Sequence, residues 1–183
     1  MVDLLDLQKS FILAHLKPGD TAVDYTMGNG HDTAFLSETV GESGKVFAFD
    51  IQLAAMESTR KNLEKWGAPA NYTLFNVSHH HAAEFDTGKV RAGMFNLGYL
   101  PGSDKKVTTM HETTLAAIDA AISMMDTDAI VLIAIYPGHA EGELEGRLVG
   151  EKLSKLDRHD YTVACFRMMN SPTSPYFYIV EGR

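Results

Sequence analysis

The residues with the most chemical content lie in four short stretches of the 183-residue chain. Residues 21–33 read Thr-Ala-Val-Asp-Tyr-Thr-Met-Gly-Asn-Gly-His-Asp-Thr. An apolar run ends in Asp24, and Thr26, Gly28 and Gly30 follow at intervals of two, with Asn29 between the glycines. Asp32 and Thr33 then give a helix-start signal. Glycine has no Cβ and tolerates positive φ, so such a turn lets a ligand reach bare backbone. The helix N-terminus behind it adds free N–H groups and a partial positive charge. A dinucleotide site needs a third glycine in G-x-G-x-x-G, and His31-Asp32-Thr33 supplies none. Asp24 ahead of the turn would repel a pyrophosphate and suit a ligand with a cationic amino group. Asp50 lies 20 residues after Gly30, the spacing at which a strand-end carboxylate accepts both hydroxyls of a ribose. Ile51 beside it can pack on an adenine face, and Gln52 completes that candidate loop.

The pattern Asp24-x-Thr26-x-Gly28-x-Gly30 resembles the first motif of class I S-adenosylmethionine (SAM) methyltransferases, with Thr26 where many members carry glycine. The loop after residues 71–77 usually contacts the adenine amino group in that fold. Its common Asp is missing here, and Asn76 or Ser78 can substitute. Asn96-Leu97-Gly98-Tyr99 resembles the Asn-Pro-Pro-Tyr motif of amino methyltransferases, with Leu97 and Gly98 in place of both prolines. The physical need is orientation. An amine must aim its lone pair at the sulfonium methyl, and the Asn96 oxygen with the next carbonyls can accept its N–H bonds. Tyr99 can stack on a planar acceptor. Positioning of this kind supplies most of the catalysis when the leaving group is already good.

Tyr136-Pro137-Gly138-His139 is the fourth stretch. His139 is a candidate general base or acceptor contact, because an alkylammonium must lose a proton before it attacks. A structural role for Tyr136 or His139 at the Pro-Gly turn stays open. Methylation at C5 of a pyrimidine is disfavoured, since it usually needs a cysteine nucleophile. The single cysteine, Cys165, sits mid-strand, where burial as a small apolar side chain is expected. His79-His80-His81 does not make a metal site, because three adjacent side chains cannot face one tetrahedral ion from a regular element. They are expected to face solvent, and no metal is expected.

The elements that must position these residues alternate. A wide apolar stripe predicts a helix over residues 4–16, stopped by Lys17-Pro18-Gly19-Asp20. Helices are expected over 33–40 and 53–66, and strands over 21–24, 45–50, 71–77 and 90–96. A helix from Thr108 or Thr109 through Met125 carries a stripe at 115, 118, 122 and 125. Residues 129–136 form a near-continuous apolar run, as expected of a central parallel strand buried on both faces. Residues 141–157 read as a helix with Leu144, Leu148, Leu153 and Leu156 inward. The runs 160–168 and 176–181 have no helix between them and predict a closing antiparallel pair. The result is an α/β domain over residues 1–183, with a mostly parallel seven-stranded sheet flanked by helices. Ligands sit beyond the carboxyl ends of such strands, where Asp24, Asp50, Asn96 and His139 all fall.

Composition narrows the partners. Hydrophobic residues make up 45% of the chain and the net charge is −8. That argues against a general nucleic-acid coat, which needs excess Lys and Arg, while leaving room for a small basic patch that reads one RNA loop. No basic leader and no apolar run of membrane-spanning length is visible, so a cytoplasmic protein with no membrane contact is expected.

Together, the stretches Asp24–Thr33, Asn96–Gly102 and Tyr136–Gly142 resemble the YtqB family, which has carried the label of rRNA methylases. The resemblance covers almost the whole chain. It implies a Rossmann-like class I SAM-dependent methyltransferase fold with no added RNA-binding domain, and a homodimer. For the characterised relatives called MnmM it implies N-methylation of the aminomethyl group of 5-aminomethyl-2-thiouridine at the tRNA wobble position, hence an anticodon stem-loop as partner and no DNA. Lys105, Lys106, Arg147 and Arg167 are the candidate phosphate contacts. The alternatives are methylation of a small-molecule amine or of rRNA, and a SAM-binding module without catalysis.

Overall fold

The computed structural model describes residues 3–97, 111–138 and 140–183. Along the chain lie α1 (Leu4–His15), β1 (Thr21–Asp24), α2 (His31–Val40), β2 (Lys45–Phe49), α3 (Leu53–Trp66), β3 (Tyr72–Phe75), a 3-10 helix (His79–Glu84) and β4 (Val90–Leu97). They are followed by α4 (His111–Met124), β5 (Met125–Ile135), α5 (Ala140–Leu153), β6 (Tyr161–Phe166) and β7 (Tyr176–Gly182). The seven strands form one sheet in the order β3-β2-β1-β4-β5-β7-β6. The first five run parallel, and β7 pairs antiparallel with both β5 and β6. The expected closing pair is present, with β7 inserted between β5 and β6.

Because successive strand residues face opposite sides, the central strands divide one apolar run between two cores. Val131, Ile133 and Ile135 pack with Phe95, Ile118 and Val149 on the α4–α5 side. Ile130, Leu132 and Ala134 pack with Ile12, Leu36 and Phe177 on the α1–α2 side. Every residue from Ala129 to Ile135 is buried, which is why this run carries no polar alternation.

Several expectations are corrected. The third strand covers only four residues, and α2 begins at His31 rather than Thr33. Cys165 is exposed, since β6 is the edge of the sheet. His79 is buried against the Phe95 ring, with centroids 6.0 Å apart. Burial pushes its pKa down to about 4, and its Nε2 has no hydrogen-bond partner among the described residues. On α4 the buried face runs through Thr114, Ala117, Ile118, Ala121 and Met124, and Met125 already belongs to the strand.

Helix α5 turns a different face inward from the one its leucines suggest. Gly142, Glu145, Gly146, Val149 and Leu153 are buried, while Leu144, Leu148 and Leu156 are half-buried. The cause is β7. The hydroxyl ends of Tyr176 and Tyr178 reach the helix at Gly146 and Gly150, and the Tyr178 hydroxyl donates to the Gly146 carbonyl at 3.2 Å. A Cβ at Gly146 would meet the Tyr176 hydroxyl, and would lie 2.7 Å from Cγ2 of Ile135. Alanine gains ~1 kcal/mol over glycine in helix propensity, whereas overpacking costs ~1–3 kcal/mol. Gly146→Ala is therefore expected to lower stability by up to ~2 kcal/mol, seen as a lower urea midpoint with unchanged slope. A higher midpoint would mean that the contact with β7 does not limit this position.

Candidate functional site

The parallel strands end on one rim, and the turn after β1 is its centre. Gly28 and Gly30 both have positive φ, 50° and 84°. Gly30 also sits against α3: a Cβ there would come 2.9 Å from Cγ2 of Thr59 and 3.2 Å from its Cα. Thr59 Oγ1 donates to the Gly28 carbonyl at 3.0 Å, and Asn62 Nδ2 to the Asn29 carbonyl at 3.0 Å. Ser58 Oγ donates to Asn29 Oδ1 at 2.8 Å. The turn is thus pinned by one helix face, and the Asn29 side chain is engaged by Ser58 of that helix.

Asp24 lies beneath the turn and is 1% exposed. It accepts the Thr33 hydroxyl at 2.6 Å and the Thr26 N–H at 3.1 Å. Its carboxylate therefore braces the start of α2 against the end of β1. Thr26 turns its Oγ1 toward β4 and accepts the Asn96 N–H at 2.7 Å. Asp50, at the end of β2, accepts the Gly28 N–H at 3.1 Å and the Gln52 N–H at 2.9 Å. Each oxygen keeps a lone pair for another donor. Ile51 beside it is 59% exposed. Gln52 is the cap of α3 and contributes backbone here. After β3, Asn76 Nδ2 donates to the Asp50 carbonyl at 3.0 Å, and Ser78 Oγ pairs with His80 Nδ1 at 2.8 Å.

Asp32 does something its spacing did not show. Its carboxylate accepts from Asn96 Nδ2, across 64 residues of chain. The Asn96 Oδ1 on the other side accepts the Tyr136 hydroxyl at 3.0 Å. Asp32, Asn96 and Tyr136 therefore form one hydrogen-bonded row along the ends of α2, β4 and β5. Tyr136 belongs to the cluster; the visible sequence signal was an aromatic at the end of the most apolar strand. Tyr99 and His139 lie outside the described residues, as do Lys105 and Lys106. Arg147 pairs with Glu151 on the exposed side of α5. Arg167 donates to the Pro172 carbonyl at 2.9 Å and lies over the Tyr176 ring.

Three carboxyls lie in and around this turn, and all resist ionisation. Burial raises Asp24 most, helped by the Asp32 charge and opposed by the Thr33 and Thr26 hydrogen bonds. Burial also raises Asp32, opposed by the Asn96 bond, Lys9 and His31. It raises Asp50 against the Gln52 and Gly28 N–H groups. Tyr136 is pushed up by burial and by Asp32. Among the described residues no group of three His, Cys, Asp or Glu side chains is arranged to hold a metal.

Comparison with known proteins gives the family. The model described as "Putative rRNA methylase" matches residues 46–181. The chain belongs to this family. A protein from Clostridium thermocellum described as a "putative rRNA-methylase" superposes with a TM-score of 0.96 at 36% identity, covering 100% of this chain and 99% of that one. A Streptococcus mutans protein described as "a putative methyltransferase" and solved in complex with SAH gives 0.90 at 32% identity over 100% and 99%. The Arabidopsis thaliana chloroplastic tRNA (mnm(5)s(2)U34)-methyltransferase is 35% identical over 170 residues, which is 87% of this chain and 62% of that protein. The chain thus spans rather less than two thirds of this curated relative. The fold is that of the class I SAM-dependent methyltransferases, as the strand order and these neighbours show.

The raised pKa of Asp24 makes the stability of this turn depend on pH. A carboxyl whose native pKa lies above its unfolded value keeps its proton in the native state where the unfolded chain has lost it. The contribution of Asp24 to stability is then fully present below its unfolded pKa of about 4, and is lost as pH rises toward the raised native value. The melting temperature of the ligand-free protein should therefore fall with pH over that window, and Asp24→Asn should flatten the fall. An unchanged slope in thermal scans of the variant would remove Asp24 as the titrating group.

Proposed function

We propose that the chain is a SAM-dependent N-methyltransferase that methylates the aminomethyl group of 5-aminomethyl-2-thiouridine at the wobble position of tRNA. The observation that carries the reading is the Asn96 amide at the end of β4. It is held beside the glycine turn with its oxygen on the rim side. The name of the Arabidopsis relative supports the acceptor, and the bound SAH of the Streptococcus mutans relative supports the cofactor.

The residues present fit SAM. Its sulfonium and ammonium suit a volume faced by Asp24, Asp32 and Asp50, while a pyrophosphate would be repelled. Asp50 holds the ribose hydroxyls with the lone pairs that Gly28 and Gln52 leave free. Gly28 and Gly30 let the methionine end approach backbone, Asp24 and Thr33 fix the turn, and Ile51 offers an apolar face to the adenine. SAM supplies a methyl on a good leaving group. Asn96 Oδ1 accepts an N–H of the neutral amine and so directs its lone pair; the nitrogen gains the methyl and gives up one proton. Tyr99 as a stacking surface and His139 as proton acceptor belong to the same proposal on the strength of their sequence positions. So do a cytoplasmic location, a homodimer and an anticodon stem-loop docked at this rim. The net charge of −8 favours one second reading, a small-molecule amine as acceptor.

Transfer from SAM to tRNA bearing the aminomethyl nucleoside, read by nucleoside mass spectrometry, tests the proposal. The methylaminomethyl nucleoside should appear. Methylation of free alkylamines with the tRNA unchanged would support the small-molecule reading instead. Asp50→Ala should weaken SAM binding by ~10–100-fold in calorimetry, as expected when hydrogen bonds to a charged group are lost. Asn96→Ala should lower turnover far more than SAM affinity, and equal losses in both would assign Asn96 to the cofactor.

A further inference from the structure

We infer that Tyr136 is a positioning residue for methyl transfer: its hydroxyl holds the Asn96 side-chain amide so that the free lone pair of Oδ1 points at the acceptor amine. The inference rests on the reading of Asn96 given above.

An asparagine amide has two ends of similar shape and opposite hydrogen-bonding sense. A strand-end asparagine with one partner can still rotate about χ2, a broad and soft torsion. Asn96 has partners on both ends. On one end, Asn96 Nδ2 donates to the Asp32 carboxyl oxygen Oδ2. The Tyr136 hydroxyl donates to Oδ1 at 3.0 Å from the next strand. The backbone is fixed separately by the bond from Asn96 N to Thr26 Oγ1 at 2.7 Å. With the backbone and both ends of the amide held, rotation of the plane is removed. Oδ1 has two lone pairs, and Tyr136 occupies one.

Two further observations separate this role from a structural one. Tyr136 is 37% exposed, so loss of its hydroxyl leaves no buried cavity and no buried unpaired group. It also follows directly on β5, beyond the last residue of the sheet pairing, so it is not needed to hold the strands. Burial and the Asp32 charge raise its pKa, which keeps the phenol protonated and able to donate throughout the neutral range. Geometry of attack is expressed mainly in kcat, because misalignment of the nucleophile raises the barrier without removing the binding surface.

The test is Tyr136→Phe in the full chain, assayed with SAM and aminomethyl-bearing tRNA. The expected result is a ~10–100-fold loss in kcat, with the KM for tRNA, the affinity for SAH and the melting temperature near wild type. The Asn96 side-chain NH2 resonances, assigned by their absence in Asn96→Asp, should shift or broaden in the SAH complex. Wild-type kcat, or a kcat loss matched by equal losses of SAH affinity and melting temperature, would overturn the inference. If wild-type enzyme does not methylate this tRNA, the functional reading fails by itself. The NMR arm then decides alone: unmoved Asn96 resonances overturn the Tyr136 contact, and displaced ones support it.

Discussion

A single buried carboxylate holds the rim together. Asp24 has almost no contact with solvent, yet it ties the first turn of α2 to the loop that leaves β1. From there the contacts spread outward. Thr26, fixed by Asp24, receives the backbone of Asn96. Asn96 reaches back to Asp32 on α2, and across to Tyr136 beyond β5. On the other side Asp50 receives Gly28, and α3 pins the glycine turn. A buried ionisable group without partners would be costly. Here the cost of desolvation is offset by hydrogen bonds that also set the shape of the site.

This arrangement has an electrostatic character of its own. Like charges crowded in a poorly solvated volume raise one another's pKa values. Burial raises all three carboxyls, and Asp24 is raised further by the charges of Asp32 and Asp50. A cationic ligand relieves the crowding and an anionic one adds to it.

Much of this was legible in the sequence because it depends on local pattern. The glycine turn, the Asp50 spacing and the apolar run at 129–135 each follow from residues close together in the chain. The parts that were not legible depend on distant neighbours. The leucines of α5 make the stronger apolar stripe, but the bulk of Tyr176 and Tyr178 on β7 selects the glycine face. His79 looks like one of three solvent-facing histidines until Phe95 covers it. Asp32 reads as part of the glycine loop, and only the folded sheet brings it to Asn96. Cys165 looks like a core residue in the middle of a strand, and is exposed because that strand is an edge.

Thr26 occupies the position where many class I methyltransferases carry glycine. Its hydroxyl receives the N–H at the end of β4, so the departure from the usual motif has a definite use. A glycine at 26 would leave that donor searching for water or another acceptor, and the tip of β4 would lose its tie to β1. The tie is to the backbone of residue 96, so it asks for a hydroxyl at 26 but for no particular side chain at 96, and a chain with glycine at 26 must secure the end of this strand by some other means.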